Sequence, residues 1–391
     1  MNYDVDQYDF DTEIDRRNTS SSKWEKYAGR DILPFWVADM DFATPEFIRR
    51  AIRERLDHEV IGYTRTPATL IAAFQGWLAR NYNWTVPEEW LVWLPGVVPG
   101  VNLTARAVAE PGGSILIPTP VYYPFLSVPG NSGQTGVTAQ LVRDGHRWVM
   151  DFDALQDAID QHEGGRPRLL LLANPQNPTG RAYGKSELVA LADFCLKNDL
   201  YLCSDEIHSA ILIDEDARHY PIASLYPEIA ERTVSLFAAT KTYNIPGLPC
   251  AVAVIPDARL KRTFLKAQAG LVPDVGPLAY AASEAAFADQ GSYLPELLAY
   301  LRRNHARVAE LVGERMTPVE ATYLAWIDLT DTPVAAHAAR HFENHGLGLS
   351  DGAAFGGPGF VRFNFACPQS MLNRGLDRLS AALNDLSGPA L

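Results

Sequence analysis

The stretch Leu169-Leu170-Leu171-Leu172-Ala173-Asn174-Pro175-Gln176-Asn177-Pro178-Thr179-Gly180 joins an apolar run to a polar turn with two Asn-Pro pairs. The same order, an apolar run followed by a polar cluster, occurs twice more along the chain. Residues 200–203 precede Ser204-Asp205-Glu206-Ile207-His208, and residues 234–239 precede Thr240-Lys241-Thr242-Tyr243-Asn244. Short apolar runs bounded by polar turns are typical of buried parallel strands. Because open α/β sheets bind ligands at the carboxyl ends of their strands, we expect the three polar clusters to meet at one site.

Helical and strand patterns alternate around these stretches. Apolar residues recur every four positions in residues 48–56, which favours an amphipathic helix, and residues 68–82 also suit a helix. Residues 114–118 suit a short buried strand. Between the first two clusters, Ser186 is a suitable N-cap for a crossover helix with one apolar face. The alternation predicts an α/β fold.

A second domain is expected toward the carboxyl end of the chain. At 391 residues the chain exceeds the ~250–300 residues at which single cores stop growing. A long helix is predicted for residues 294–315. Residues 323–329 and 360–365 then alternate in a way that suits strands with one exposed face. This part of the chain therefore predicts a smaller α+β domain.

The composition excludes several classes of protein. A formal charge of −13 argues against nonspecific nucleic-acid binding, which depends on Lys and Arg neutralising phosphates. No apolar stretch approaches the ~20 residues that cross a bilayer, so no membrane partner is expected. The acidic start lacks the features of a secretory signal, and the four cysteines are widely spaced. These features predict a cytoplasmic protein with buried thiols.

The residue types in the three clusters indicate a particular chemistry. A lysine supported by a carboxylate and an amide suggests an amine that forms a Schiff base with an aldehyde cofactor, and the cofactor indicated is pyridoxal phosphate. Asp205 would then keep the ring nitrogen protonated, and Asn177 would donate to the phenolic oxygen. Each residue alone also has an ordinary interpretation: Asp205 as a helix cap, Lys241 as a surface lysine and the Asn-Pro pairs as a turn. The presence of all three together favours cofactor binding over these ordinary interpretations.

Other parts of the chain suit the remaining groups of such a ligand. The amides of Gly96, Val97 and Val98 open a helix and could bind a phosphate. Tyr122 is placed to stack on the ring, with core packing as the alternative. Arg362, within an apolar strand, suits a bidentate substrate carboxylate, with a structural ion pair as the alternative. The histidine series His337, His341 and His345 lacks a completing ligand in any recognisable signature, so no metal site is predicted.

Several motifs give the chain a resemblance to a known family. It resembles the fold-type I pyridoxal phosphate enzymes of the aspartate aminotransferase superfamily, class I/II, and within them the cystathionine β-lyase (C–S lyase) group of MalY/PatB type. The motifs are Asp15-Arg16-Arg17 with Ser22-Lys23-Trp24, Trp36-Val37-Ala38-Asp39-Met40-Asp41-Phe42, Gly62-Tyr63-Thr64, Ser204-Asp205-Glu206-Ile207-His208, and Gly359-Phe360-Val361-Arg362 with Phe365-Ala366-Cys367-Pro368.

The resemblance implies a fold and a set of roles. The large cofactor domain would comprise residues 46–288, with a mostly parallel seven-stranded sheet between helices. The smaller α+β domain would comprise residues 1–45 and 289–391. The implied catalytic residues are Lys241, Asp205 and Tyr122. The implied cofactor-binding residues are Gly96, Val97, Val98, Tyr122, Asn177, Asp205, His208, Thr240, Lys241 and Tyr63. The implied substrate-binding residues are Arg362, Asn177, Val37, Ala38 and Trp36.

The resemblance also implies a homodimer, with Tyr63 of the partner subunit reaching the phosphate. This sequence departs from the wider superfamily at two positions near the phosphate. Many relatives carry a serine where this chain has Ala238 and an arginine where it has Pro249. Phosphate binding is therefore expected to depend more on Thr240, on the amides of Gly96, Val97 and Val98, and on Tyr63.

The predicted activity is cleavage of cystathionine or a related L-cysteine thioether to a thiol, pyruvate and ammonia. The sequence leaves two alternatives open. An aminotransferase shares the early steps and differs in whether the substrate Cβ carries a leaving group. A cofactor-binding regulatory protein is the non-enzymatic alternative.

Overall fold

The computed structural model describes residues 8–110 and 112–386. The strands are β1 Leu33–Pro34, β2 Leu91–Leu94, β3 Ser114–Thr119, β4 Thr135–Gln140, β5 Val142–Asp144, β6 Arg147–Val149, β7 Pro167–Ala173, β8 Tyr201–Asp205, β9 Thr233–Phe237, β10 Ala251–Val254, β11 Leu324–Asp328, β12 Leu347–Gly348, β13 Ser350–Asp351 and β14 Phe360–Asn364.

The helices connect these strands and cover the sheet they form. They are α1 Ser22–Glu25, α2 Glu46–Leu56, α3 Ala68–Tyr82, α4 Val97–Ala107, α5 Pro124–Asn131, α6 Phe152–Asp160, α7 Lys185–Lys197, α8 Pro227–Ala230, α9 Ala258–Gln268, α10 Pro277–Ala288, α11 Tyr293–Val312, α12 Ala338–Asn344 and α13 Gln369–Asn384. None of the helices within the described ranges combines the length and the hydropathy needed to cross a membrane.

A mixed, mostly parallel sheet forms the centre of the molecule. In the described residues it has seven strands in the order β2-β10-β9-β8-β7-β3-β4. Strand β10 runs antiparallel to both of its neighbours, while β9, β8, β7, β3 and β4 run parallel to one another. The prediction of a mostly parallel seven-stranded sheet is therefore confirmed.

Alternate residues of the central strands enter two different cores. Leu169 and Leu171 of β7 pack in a core that also contains Val101 of α4, whereas Leu170 and Leu172 pack with residues of α7 on the other face. Each of these leucines is essentially inaccessible to solvent. Burial of a leucine side chain contributes roughly 1.5–3 kcal/mol, so strand β7 is held firmly between two layers of helices. The four-leucine run is explained by this two-sided burial.

The crossover helix α7 begins two residues earlier than its sequence indicated. Ser186 was predicted as the N-cap, but the cap is Gly184 and Ser186 lies inside the helix. The Glu187 side chain accepts a hydrogen bond from the Gly184 amide at 2.8 Å, which satisfies one of the free amides at the helix start. The same Glu187 carboxylate pairs with the buried Arg181 at 2.7 Å. The prediction was therefore wrong because a side chain from inside the helix supplies the capping bond.

A second, three-stranded sheet in the order β11-β14-β13 follows α11. Strands β11 and β14 were predicted to expose one face, and this prediction is wrong for both. All residues of β14 are buried, and in β11 all are buried except the half-buried Asp328. The two polar residues of β14, Arg362 and Asn364, point at the chain segment that follows β1 and bond to its carbonyls. Strand β1 itself pairs in parallel with β12. The amino-terminal arm therefore packs on the carboxyl-terminal part, while the exact domain boundaries stay a prediction.

The histidine series behaves as an ordinary helix face. His341 Nε2 lies 2.8 Å from the Ala382 carbonyl, and His345 Nε2 lies 3.3 Å from an Asp385 oxygen. Among the described residues no cluster of His, Cys, Asp and Glu has the geometry of a metal site.

Candidate active site

The three polar clusters meet at one edge of the central sheet, as their strand positions predict. Strands β7, β8 and β9 are parallel neighbours, and their register places Ala173 beside Asp205 and Asp205 beside Leu236. A cavity of about 300 Å³ opens at this edge. It is lined by Ala38, Pro95, Gly96, Val97, Val98, Pro99, Tyr122, Ala173, Pro175, Asn177, Asp205, Ile207, His208, Ala238, Thr240, Lys241, Pro246, Pro249 and Cys250.

The Lys241 amine lies in this cavity and is held by a backbone carbonyl. Its Nζ donates a hydrogen bond to the Ala38 carbonyl at 2.5 Å, and the buried Tyr323 hydroxyl donates to the same oxygen at 3.0 Å. Burial, followed by the nearby Arg362 charge, lowers the pKa of Lys241 to about 8, while Asp39 and Asp205 act in the opposite direction. A substantial fraction of this amine is therefore neutral, and so nucleophilic, in mildly alkaline solution.

The Asp205 carboxyl faces the same cavity. Burial raises the pKa of Asp205 to about 7, against a hydrogen bond from the Ile207 amide to Oδ1 at 3.1 Å. One amide donor offsets little of the cost of burying the charge of this carboxylate. A cationic group bound next to Asp205 would therefore favour the charged form of its carboxyl. The position therefore suits a partner that carries a positive charge in the cavity.

Asn177 and Arg362 form a hydrogen-bonded pair beside the cavity. The Arg362 guanidinium donates to Asn177 Oδ1 at 2.9 Å, to the Trp36 carbonyl at 2.8 Å and to the Ser350 hydroxyl at 3.3 Å. Arg362 is 3% exposed and its Nε has no partner in the described part of the chain. Burial lowers the pKa of Arg362 to about 10. A buried guanidinium that lacks a carboxylate and keeps a free N–H is suited to bind an anionic ligand.

His208 and Tyr122 complete the wall of the cavity. His208 is buried, its Nδ1 has no partner among the described residues, and burial lowers its pKa well below the ordinary value. It is therefore neutral at physiological pH and can accept or donate one hydrogen bond. The Tyr122 ring borders the cavity, and burial raises the pKa of its hydroxyl to about 12, so Tyr122 is also neutral.

The start of helix α4 forms the opposite end of the cavity. Its N-cap is Gly96, with φ 126° and no side-chain capping bond, so the first amides are free for a ligand. A φ of this value favours glycine because other side chains are strained there. Lys241 is the only Lys or Arg among the described lining residues, and Pro249 also borders the cavity. Anion binding at this end therefore depends on helix amides and hydroxyls.

Three predicted site residues, Tyr63, Trp36 and Val37, do not line the cavity. Tyr63 is fully exposed on the loop between α2 and α3 and does not line the cavity. Trp36 and Val37 lie beside the cavity and meet the site through backbone: the Trp36 carbonyl accepts from Arg362, and the Val37 carbonyl accepts from Asn364 at 2.6 Å. Ala38 lines the cavity directly.

Residues 36–40, which we call the strap, cross the site without belonging to a strand. Every carbonyl of the strap accepts a hydrogen bond from a side chain. The donors are Arg362 and Ser350 for Trp36, Asn364 for Val37, Lys241 and Tyr323 for Ala38, Lys23 and Asn364 for Asp39, and Arg16 and Asn244 for Met40. Because buried carbonyls need partners, these side chains replace the ladder that a neighbouring strand would provide.

A buried ion cluster anchors the carboxyl end of the strap. Lys23 is 1% exposed and pairs with Asp41 at 2.6 Å and with Asp39 at 3.5 Å. Arg16 pairs with the same two carboxylates, at 2.8 Å to Asp41 and 2.5 Å to Asp39. The Trp24 indole donates to Asp41 at 3.0 Å. The motifs Asp15-Arg16-Arg17 and Ser22-Lys23-Trp24 are thus physically tied to the strap.

Several residues of the site were not assigned roles from the sequence. Tyr323, Asn364 and Asn244 each hold the strap, and all three are separated from it by more than 200 positions. A signal for Asn364 did exist, since it is polar within the same apolar strand that made Arg362 conspicuous. Tyr323 and Asn244 carry no comparable local signal.

Comparison with known proteins places this geometry in a family. The family model described as "Aminotransferase class I and II" matches residues 30–379. Cystathionine beta-lyase PatB of Bacillus subtilis (strain 168) is 34% identical over 390 residues, covering 96% of this chain and 100% of that protein. The crystal structure of OvoB superposes with a TM-score of 0.92 at 40% identity, covering 98% of this chain and 100% of that one.

A third relative has a cofactor in its crystal structure. Cystalysin from Treponema denticola, which contains pyridoxal 5'-phosphate, superposes with a TM-score of 0.91 at 30% identity, covering 97% of this chain and 100% of that one. The extent of these matches, over almost the whole of each chain, shows that the chain belongs to the class I and II aminotransferase family.

Proposed function

We propose that the protein is a pyridoxal phosphate-dependent carbon–sulfur β-lyase. Its reaction would take up one water and convert an L-cysteine thioether, such as cystathionine, to a thiol, pyruvate and ammonia. The observation that carries the proposal is the arrangement of Lys241 and Asp205 at neighbouring strand ends around one cavity. PatB, OvoB and cystalysin as relatives support it.

The residues present fit pyridoxal phosphate. The Asp205 carboxyl, poorly compensated by protein donors, suits the ring nitrogen, and the unpartnered His208 Nδ1 with Asn177 suits the polar edge of the ring. Tyr122 would cover a ring face. The uncapped amides of Gly96, Val97 and Val98, with Thr240, would hold the phosphate. Lys241, with its lowered pKa, would bond to the aldehyde.

When bound, the cofactor supplies an electron sink for the negative charge that develops on the substrate Cα. Arg362, through Nε and a terminal nitrogen, would hold the substrate carboxylate and so orient the Cα–H bond toward Lys241. Once the substrate amine has taken its place at the aldehyde, the freed Lys241 amine would take up the Cα proton, which a lysine with a pKa of about 8 can do near neutrality. The Ala38 carbonyl and Tyr323 would keep that amine in place between turnovers.

We also propose a homodimer in which Tyr63 of the partner subunit supports the phosphate. Two observations support this part of the proposal. The cavity has no cation at its phosphate end among the described residues. The loop that carries Tyr63 also exposes Val60 and Ile61, which are 65% and 61% accessible and would be buried by a second copy. Cytoplasmic location stays a prediction.

Aminotransfer is the second candidate function. It is favoured by the family model itself, since that model is named for class I and II aminotransferases. Both reactions need Lys241, Asp205 and Arg362 in the same places, and they differ in whether the substrate carries a leaving group on Cβ.

The first experiment tests the cofactor. Wild-type protein reconstituted with pyridoxal phosphate should show a visible absorption band, and borohydride should fix the cofactor to a peptide containing Lys241. The Lys241→Ala variant should show neither the band of wild type nor the labelled peptide. Identical spectra and identical peptides for the two proteins would refute the assignment of Lys241.

The second experiment separates the candidate reactions. Protein incubated with L-cystathionine and no keto acid should release pyruvate and a free thiol if the protein is a β-lyase. Amino-group exchange that requires an added keto acid would favour the aminotransferase, and neither product would favour a binding role.

A further inference from the structure

A second cavity, of about 690 Å³, lies on the outer side of the strap, and we call it the outer cavity. Its volume is within the range of ligand-binding pockets in proteins. It is lined by Lys26, Arg30, Trp36, Tyr123, Ala339, Arg340, Glu343, Asn344, Leu349, Ser350, Asp351, Ala354 and Phe355. None of these residues lines the inner cavity that contains Lys241.

The outer cavity adjoins the proposed site of the substrate carboxylate. The Arg362 guanidinium lies 4.7 Å from the centre of the Phe355 ring, and it bonds to the Trp36 carbonyl and the Ser350 hydroxyl. All three of these residues line the outer cavity. On the other side, the Tyr123 ring lies 5.1 Å from the ring of Tyr122, which borders the inner cavity. An amino acid held by Arg362 therefore has the outer cavity next to it.

The outer cavity carries more positive than negative side chains. Lys26, Arg30 and Arg340 face Glu343 and Asp351 in a chain whose formal charge is −13. The Glu343 carboxylate is already engaged: it accepts from the Tyr27 hydroxyl at 2.8 Å and lies 3.6 Å from Lys26 and 3.7 Å from Arg30.

The Asp351 carboxylate is also engaged, whereas Arg340 has no ion-pair partner in the part of the chain that the structure describes. Asp351 accepts from the Ala353 amide at 2.9 Å, as the cap of a short helical turn. Arg340 forms no ion pair with any residue in the described ranges. Its five donors therefore remain available to an anionic ligand.

Three aromatic residues, Trp36, Tyr123 and Phe355, also line the outer cavity. The Lys26 ammonium lies 4.7 Å from the centre of the Trp36 ring, and Tyr123 packs edge-on against Phe355 with ring centres 5.7 Å apart. Aromatic walls with a cationic rim suit a ligand that has an apolar body and an anionic end.

We propose that the outer cavity binds the group attached to the sulfur of the thioether substrate and selects groups that end in a carboxylate. Arg340 would bind this carboxylate directly, and Lys26 would support it over the Trp36 ring. This inference rests on the proposed β-lyase function, because it assigns the part of the substrate that leaves with the sulfur.

The test compares two substrates of equal length. S-(2-Carboxyethyl)-L-cysteine and S-propyl-L-cysteine differ only in a terminal carboxylate or methyl group. Because a hydrogen bond to a charged group contributes about tenfold or more in affinity, kcat/KM of the reconstituted wild-type enzyme should be about 10-fold higher for the carboxylate compound. The Arg340→Gln, Lys26→Gln double variant should reduce this ratio to about one, as the same charged contact is lost.

Arg259→Gln is the matched control, because Arg259 is an exposed arginine on α9 that lines neither cavity. This control should keep the wild-type ratio. A wild-type ratio near one would overturn the proposal, and so would a ratio that the double variant leaves unchanged.

A binding measurement separates this inference from the proposed function. Calorimetry with Lys241→Ala protein and added pyridoxal phosphate should show about 10-fold tighter binding of the carboxylate compound, lost when Arg340 and Lys26 are also replaced. Selective binding without any pyruvate release from wild type would contradict the lyase function and keep the outer-cavity assignment. Pyruvate release from both compounds, with equal binding, would overturn the outer-cavity assignment and keep the lyase function.

Discussion

Replacement of Arg362 by lysine tests the proposed substrate anchor. The guanidinium already donates to Asn177 and Trp36 at 2.9 and 2.8 Å, and its buried Nε remains for the substrate carboxylate. A lysine ammonium keeps the charge, but from a single nitrogen it cannot span these partners and a carboxylate together. Loss of one charge-assisted hydrogen bond costs about 1.5–3 kcal/mol, so kcat/KM for the thioether should fall about 10- to 100-fold.

The assay is pyruvate release under conditions where the cofactor absorption band shows full occupancy. Ser350→Ala is the control. Of the Arg362 contacts it removes only the longest, at 3.3 Å, and the Trp36 carbonyl that loses the Ser350 hydroxyl keeps its bond from Arg362, so kcat/KM should change by less than about threefold. Equal effects of Arg362→Lys and Ser350→Ala would refute the reasoning. Loss of the absorption band in Arg362→Lys would instead show that this arginine supports the cofactor.

Three further predictions concern stability, pH and the cofactor. Lys23→Met should lower Tm by about 4 °C in a thermal melt, because it removes one partner of a buried ion cluster at a cost of about 3 kcal/mol. Arg17→Met, in an exposed pair with Asp15, should leave Tm within about 1 °C. For the apoprotein, the pKa of Asp205 is raised on folding to about 7, so its contribution to stability is present at low pH and is lost as the pH rises through about 7. The Tm of Asp205→Asn minus that of wild type should therefore grow between pH 4 and pH 8, and a constant difference would contradict the raised pKa. Tyr63→Phe should weaken pyridoxal phosphate binding about 10-fold in a spectroscopic titration, since a charge-assisted hydrogen bond is lost, and an unchanged Kd would argue against the partner contact.

Local signals in the sequence were sufficient for much of the fold. The helix predicted for residues 68–82 has those bounds in the structure, and β7, β8 and β9 lie where the apolar runs indicated. These elements are specified by residues close together in the chain, so their pattern is readable without knowledge of contacts. The Gly184 cap of α7 was missed because glycine has no side chain to indicate a cap.

The residues of the site fall into the same two groups: those that local sequence patterns indicate, and those whose place depends on distant contacts. Asn177, Asp205 and Lys241 were predicted to meet because each follows a strand, and the structure brings them to one cavity. Trp36, Val37 and Ala38 were assigned to the site through the resemblance, but the side-chain bonds that hold the strap were not predicted, because their donors lie far away in the sequence. The buried polar face of β14 was misjudged for the same reason, since Asn364 and Arg362 are buried only because the arm covers them.

The pattern of bonds to the strap has a consequence for recombination between relatives. Arg16 and Lys23 belong to the arm, Lys241 and Asn244 to the central part, and the other donors to the carboxyl-terminal part. A chimera that exchanges only the carboxyl-terminal part would pair the strap of one protein with hydrogen-bond donors from the other. Productive crossovers should therefore transfer residues 8–45 together with the segment that begins near Tyr323, even though almost 280 residues separate them in the chain.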